Sequence, residues 1–326
     1  MMRIGLIGLG AMGRTHFECW LKSPRGKLVA VSDRSPKKLA GDWSGKEFNL
    51  GDQGASLVDM SGLATYLRVE DLLADPSVDA VDICMPTPLH APLAIAAMRA
   101  GKDVFCEKPV ALSMADCDAM RKVATETGRQ LVVGHCLRYW PQYVKAHELI
   151  LSGEYGRVLH ASFHRSSGAP GWSSDAWYLR SGESGGVLDM HIHDVDVALW
   201  WFGRPQSVVA SGLVVGGLPL VIDAAWAYSD GPQVQIHGAW DLNGGVFRHA
   251  FRVVMERGTL VHDLAIDAKA LQLFRGGKCE SILVEDVSAY QSELDAFAEG
   301  RAGERIGIEA SQLALEIGLE ELRQIT

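Results

Sequence analysis

An apolar run from Arg3 to Leu9 breaks into Gly8-Leu9-Gly10-Ala11-Met12-Gly13, helix-forming residues Thr15 to Leu21 follow, and a second apolar run, Lys27 to Ser32, stops at Asp33. Strand, glycine turn, helix, strand and acid in about 30 residues admit few architectures beyond a parallel βαβ unit. Gly8 suits the tight turn, Gly10 lets backbone approach an anion, and Gly13 allows close helix–strand packing. Such a turn aims helix N–H groups, here those around Ala11 and Met12, at a pyrophosphate. Asp33 stands 20 residues after Gly13, where a carboxylate accepts both hydroxyls of an adenosine ribose. The competing reading is a tight turn with a solvated acid, which the complete strand–turn–helix–strand context makes the lesser one.

Alternation continues. Val78 to Cys84, Asp103 to Cys106 and Leu131 to Val133 read as strands; Pro92 to Arg99 and Met114 to Thr127, the latter capped by Ser113, read as helices. This pattern predicts a doubly wound, mostly parallel α/β sheet, a Rossmann domain. Residues 36–70 are harder to read, with a surface excursion around Gly41 to Gly54. After helices near Pro141 to Leu151 and Gly185 to Phe202 the texture changes to strands: Val208 to Val215, Leu220 to Tyr228, Val234 to Trp240, Phe247 to Glu256 and Thr259 to Asp263. Helices follow from near Val287 and from Ile308 to about Leu322. The expected division is 1–125, a dinucleotide-binding domain, and 126–326, an α+β domain with a large, mostly antiparallel open sheet. The C-terminal helix is the segment that could return to the first domain.

A length of 326 residues favours two cores over one. The formal charge of −9 argues against nucleic acid as a partner. The longest uncharged stretch, Pro205 to Ile222, is short and broken by glycine, serine and proline, so no membrane span is expected. The apolar start is punctuated by glycines and runs into Arg14 and His16, which suits a strand better than a targeting signal. Six cysteines without metal-like spacing read as free thiols in a reducing compartment, and the expected location is cytoplasmic.

Asp33 favours NAD over NADP, because a 2′-phosphate would meet like charge; Arg34, Lys37 and Lys38 are the groups that would hold NADP instead. Pro86, Thr87 and His90 follow another strand end, on the edge where such sheets bind ligands. Glu107-Lys108-Pro109 closes the Asp103 to Cys106 strand, so Lys108 can donate to an oxygen whose charge changes in a reaction. On a helix from Gly185, Asp189 and His193 are four apart and His193 and Asp196 three apart, on one face. Histidine suits a proton transfer near neutral pH, and a carboxylate beside it would stabilise the imidazolium. His191 points elsewhere and reads as structural. The His- and Asp-rich helix matches no metal signature, and no metal is expected.

On these residues, together with Asp79 to His90, Ala100 to Pro109, and Gly185 to Asp189 with His193, the chain resembles the Gfo/Idh/MocA family of dinucleotide-dependent sugar and polyol oxidoreductases. The match is dense before residue 200 and looser after it. The resemblance implies that Lys108 is the lysine of the family's EKP motif, whose bond to proline is often cis. It implies that Asp189 and His193 are its DxxxH pair, with His193 the acid–base residue. Glu107 and Lys108 would help bind the cofactor; Lys108, Arg138, Trp172, Asp189 and His193 would meet the substrate, a cyclic polyol or sugar of the inositol- or sugar-dehydrogenase type. Many members carry glycine where this chain has His191, which would put a bulkier group near the substrate helix.

The family's second-domain sheet builds homodimers or homotetramers, and Trp226, Tyr228 and Trp240 are expected on its outer face. Two other functions fit the motifs. One is NAD-dependent glycoside hydrolysis through transient oxidation. The other is a non-catalytic dinucleotide-binding regulator, whose expected sign is loss of Lys108 or His193, both present here.

Overall fold

A computed structural model describes residues 1–44, 56–169, 177–180, 185–241 and 244–326. The chain forms two compact units: residues Met1–Cys136, Pro170–Trp177 and Tyr290–Gln312 make the first, and Leu137–Ala169, Tyr178–Ala289 and Leu313–Thr326 the second. The first unit therefore continues past the expected boundary at residue 125, which falls inside a helix, and takes back a segment near the C-terminus.

The first unit opens with β1 (Met2–Ile7), α1 (Ala11–Lys22), β2 (Gly26–Ser32), α2 (Pro36–Leu39), β3 (Ala64–Tyr66) and α3 (Val69–Leu73). It continues with β4 (Ala80–Ile83), α4 (His90–Arg99), β5 (Asp103–Cys106), α5 (Met114–Thr127) and β6 (Leu131–Val133). All strands are parallel, in the order β3-β2-β1-β4-β5-β6. Leu6, Ile7, Val81, Ile83 and Val104 are wholly buried, as strands covered on both faces require. The order reverses between β1 and β4, which places a ligand crevice beyond their carboxyl ends. Ser113 accepts from the backbone N–H of Asp116 and so starts α5 as its sequence predicts.

The second unit contains α6 (Pro141–Ser152), β7 (Val158–Gly168) and α7 (Leu188–Phe202). Then come β8 (Ser207–Val215), β9 (Leu218–Ala227), β10 (Gln233–Asp241), β11 (Arg248–Met255), β12 (Gly258–Asp263), β13 (Ala270–Arg275) and β14 (Lys278–Leu283). The remaining helices are α8 (Ala289–Ala298), α9 (Gly303–Ile306) and α10 (Ile308–Ile325); α8 after its first residue, α9 and the first turn of α10 belong to the first unit. The eight strands run β14-β13-β12-β11-β7-β10-β9-β8, antiparallel except where β7 meets β10.

The helix expected from Gly185 begins at Leu188 instead. Gly185 and Gly186 adopt left-handed backbone (φ 69° and 63°), which no continuous right-handed helix accommodates. Trp226 and Trp240 are also corrected. Both are buried, Trp226 donating to Glu321 of α10 and Trp240 packing with Val187 and Met190 at α7, so neither lies on the uncovered face. That face carries Ser162, His164, Asp223, Gln235 and His237 beside exposed Val209. The cysteines are free thiols, and among the described residues no helix is long and apolar enough to cross a membrane.

Candidate active site

The glycine turn is built by contacts. Gly8 has φ 93°, and a Cβ there would lie 2.4 Å from the carbonyl oxygen of Cys84; a Cβ on Gly13 would lie 1.9 Å from the oxygen of Gly8. Side chains at either place would push α1 off the sheet. Gly10 is different: a Cβ there would meet nothing within 4 Å. Gly10 also gives α1 no side-chain cap. Space above the backbone and an uncapped helix start are what a pyrophosphate needs, so these residues fit a dinucleotide.

Asp33 is fixed at the same edge. One carboxylate oxygen accepts from Leu9 N–H and the other from Ser35 N–H, each at 2.8 Å. Of the basic residues that follow, Lys37 turns toward Ser44 and Asp42. Lys38 instead reaches back to the carbonyl of Leu9, at 2.9 Å. Beyond β4, Pro86 precedes a short turn containing buried Thr87. His90, at the start of α4, is buried with Nδ1 2.8 Å from the carbonyl of Pro109 and Nε2 2.7 Å from that of Met85. It thus ties the loop after β4 to the loop after β5.

Glu107 and Lys108 follow β5 directly. Glu107 is buried, and its Oε2 accepts from the backbone N–H of Lys108 at 3.1 Å; the Lys108–Pro109 bond is cis. Lys108 is half-buried, at the carboxyl end of the strand.

In the second unit, α7 is buried along nearly its whole length. From Met190 to Leu199 only His193 is not buried, and Asp189, one turn earlier, is likewise half-buried. The other polar groups of this helix serve the interior. Asp194 receives two hydrogen bonds from Arg165 of β7, at 2.7 and 3.0 Å. Asp196 receives two from Arg138, at 2.9 and 2.8 Å. Asp196, expected on the face of His193, is thus a buried ion-pair partner. Arg138 has its guanidinium carbon 5.7 Å above the ring of Trp200. His191 is wholly buried, with Nε2 2.8 Å from Glu321 Oε2. Its structural reading holds, and its imidazole points toward α10. Trp172 lies outside the described residues.

A buried cluster in the first unit escaped the sequence reading. His16, three residues after Gly13, lies between Asp82 and Glu107, with Glu293 of α8 alongside. An acid at the third position of a four-residue apolar strand, Ala80-Val81-Asp82-Ile83, was its available signal.

Residues 2–135 match the oxidoreductase family with an NAD-binding Rossmann fold, and residues 143–261 match the GFO/IDH/MocA C-terminal domain. The chain belongs to the Gfo/Idh/MocA oxidoreductase family. It is 35% identical to the inositol 2-dehydrogenase of Rubrobacter xylanophilus over 61% of its own length and 51% of that protein's. It is 31% identical to the 1,5-anhydro-D-fructose reductase of Ensifer adhaerens over 91% and 87%. The aldose-aldose oxidoreductase of Caulobacter crescentus has the same fold, with a TM-score of 0.82 at 22% identity over 99% and 97% of the two chains. The chain spans about half the length of the first of these relatives.

Proposed function

We propose that the protein is an NAD(P)-dependent dehydrogenase or reductase that moves a hydride between a nicotinamide and a hydroxyl-bearing carbon of a cyclic polyol or sugar. The observation that carries this is the half-buried pair Asp189 and His193, the partly exposed positions between Leu188 and Leu199 of a helix, in a family chain that also keeps Lys108 at a strand end. Inositol and anhydrofructose enzymes among its relatives support the substrate class.

A bound dinucleotide supplies the hydride acceptor or donor. Gly8, Gly10, Ala11, Met12 and Gly13 hold its pyrophosphate, Asp33 and Arg34 border the adenosine ribose, and Pro86, Thr87, His90, Glu107 and Lys108 shape the nicotinamide side. In the oxidation direction His193 takes the hydroxyl proton. Asp189, one turn away, stabilises the resulting imidazolium. Lys108 donates to the oxygen as it becomes a carbonyl. Arg138 and Trp172 complete the proposed substrate contacts.

The test is steady-state kinetics on a panel of inositols, aldoses and their oxo forms with both cofactors. His193→Ala and Lys108→Ala should each lower turnover by about 10²–10⁴-fold while dinucleotide affinity stays close to wild type. Losses below about fivefold in both would reject the assignment. We further propose that copies associate through the uncovered sheet face, where Val209 and Leu213 are 65% and 51% exposed. Light scattering at micromolar concentration should show a dimer or tetramer, and a monomer would reject it.

A further inference from the structure

The cluster around His16 lies wholly inside the first unit, yet it ends at Lys108. His16 and Asp82 are 0% exposed and Glu107 is 6% exposed. His16 Nδ1 is 2.9 Å from Asp82 Oδ2, which also accepts from the indole N–H of Trp20 at 2.7 Å. On the other side of the ring, Nε2 lies 3.1 Å from Glu107 Oε1. The second oxygen of Glu107 takes the backbone N–H of Lys108 at 3.1 Å. Polar contacts therefore run from β4, through the helix that follows the glycine turn, to the second residue after β5, with the His16–Glu107 step a close approach and not an aligned hydrogen bond.

We propose that His16 is a positioning residue for Lys108: held between Asp82 and Glu107, its imidazole fixes the carboxylate that in turn holds the Lys108 backbone. The inference rests on the reading of Lys108 as catalytic.

Two carboxylates facing one buried ring favour a charge on that ring. Burial alone pushes the His16 pKa down, but the facing Asp82 carboxylate and Cys84 thiol carry it well above its ordinary value. Burial likewise pushes Glu107 up, and its contact with His16 brings it below the usual carboxylate range. The surrounding elements contribute Cys19 on α1, Cys84 after β4, and Tyr290 and Glu293 on α8. Glu293 is fully buried, and burial together with Glu107 pushes its carboxyl well up. The close approach of His16 to Glu107 thus directs this carboxylate by charge as well as by shape.

Lys102 provides an internal control. It precedes the same strand at its other end, is 8% exposed, and donates to the carbonyls of Asp75 and Val78 at 2.8 and 2.7 Å. General loosening of the sheet would release Lys102; loss of positioning would alter Lys108 alone. The experiment is competitive acetic-anhydride labelling of the intact protein at neutral pH, read residue by residue by mass spectrometry, with exposed Lys122 as the rate reference. His16→Gln and Glu107→Gln are compared with wild type, and Glu107→Gln keeps the His16–Asp82 pair should His16→Gln fail to fold.

The expected result is a change in the Lys108 labelling rate of at least about threefold, with Lys102 unchanged within about twofold, as loss of a charge-assisted contact implies. An unchanged Lys108 rate in Glu107→Gln, or a parallel rise at Lys102, overturns the proposal. A Lys108→Ala protein that retains turnover in the inositol and aldose panel instead overturns the catalytic reading beneath it, so the two failures are read in separate measurements.

Discussion

His191 Nε2 and Glu321 Oε2 lie 2.8 Å apart, both side chains wholly buried, in a contact that ties α7 to α10. Glu321 also accepts from the indole N–H of Trp226 at 2.6 Å, so one carboxylate links two helices and β9. The space beside the ring exists because position 238 is glycine: a Cβ there would lie 2.7 Å from His191 Nδ1. His191 therefore braces α7 from behind. His191→Ala should destabilise the protein by about 1–3 kcal/mol, because it leaves a buried acceptor short of a partner. Urea unfolding with a dinucleotide titration checks this. A large loss of cofactor affinity with unchanged stability would contradict it.

The choice between NAD and NADP is tested at Lys38. Its ammonium donates to the Leu9 carbonyl, and the N–H of the same residue donates to Asp33. Lys38→Ala should therefore weaken NADPH binding by about tenfold, the worth of a charge-assisted contact, and change NADH binding by less than about threefold. Titrations followed by nicotinamide fluorescence decide the matter. Equal losses for both dinucleotides would show that Lys38 supports the turn without reading the 2′-position.

Acid should destabilise the second unit through His249. This ring is 3% exposed, with Nδ1 3.1 Å from the hydroxyl of Tyr143. Burial, then Arg165 and His262, push its pKa down to about 2 from an ordinary 6.5. The folded state keeps His249 neutral while the unfolded chain protonates it below 6.5. Its contribution is thus complete above that pH and is lost as pH falls toward about 2, by at most about 1.4 kcal/mol per unit. His262 and His164, both shifted down chiefly by burial, act in the same direction. Between pH 7 and 5, His249→Gln should lose about 1–2 kcal/mol less than wild type in urea unfolding. Identical slopes would reject the assignment.

The first βαβ unit, the strand ends at Asp33 and at Glu107-Lys108-Pro109, and the helix that carries Asp189 and His193 were legible because local pattern and tertiary placement agree there. β7 was not, although it lies at the middle of the second sheet. Its inward positions include Arg165 and Ser167, so the apolar alternation that marks a strand is broken where an arginine reaches Asp194. β14 was missed because it is an exposed edge strand with no fully buried position, and β13, although Ala270, Leu271 and Leu273 are buried, is only six residues long and ends in exposed Phe274 and Arg275. The pair Gly276-Gly277, both with positive φ, was the available signal for the turn between them. Asp196 was misread because helical spacing gives the face of a residue but not its partner, and Arg138 lies 58 positions away in the chain.

The first unit is assembled from segments far apart in the sequence. Ser23 at the end of α1 bonds Asp295, 272 positions away, Phe297 sits against Phe105 at 5.7 Å, and Val132 bridges to Gly307. Nascent chain emerging from a ribosome can form the parallel sheet early, but the wall that closes over Phe105 arrives only after every strand of the second unit has been synthesised. Until then the apolar side of β5 stays open to solvent and to chaperones, and a chain released before Tyr290 carries the parallel sheet without part of the interior of its own unit.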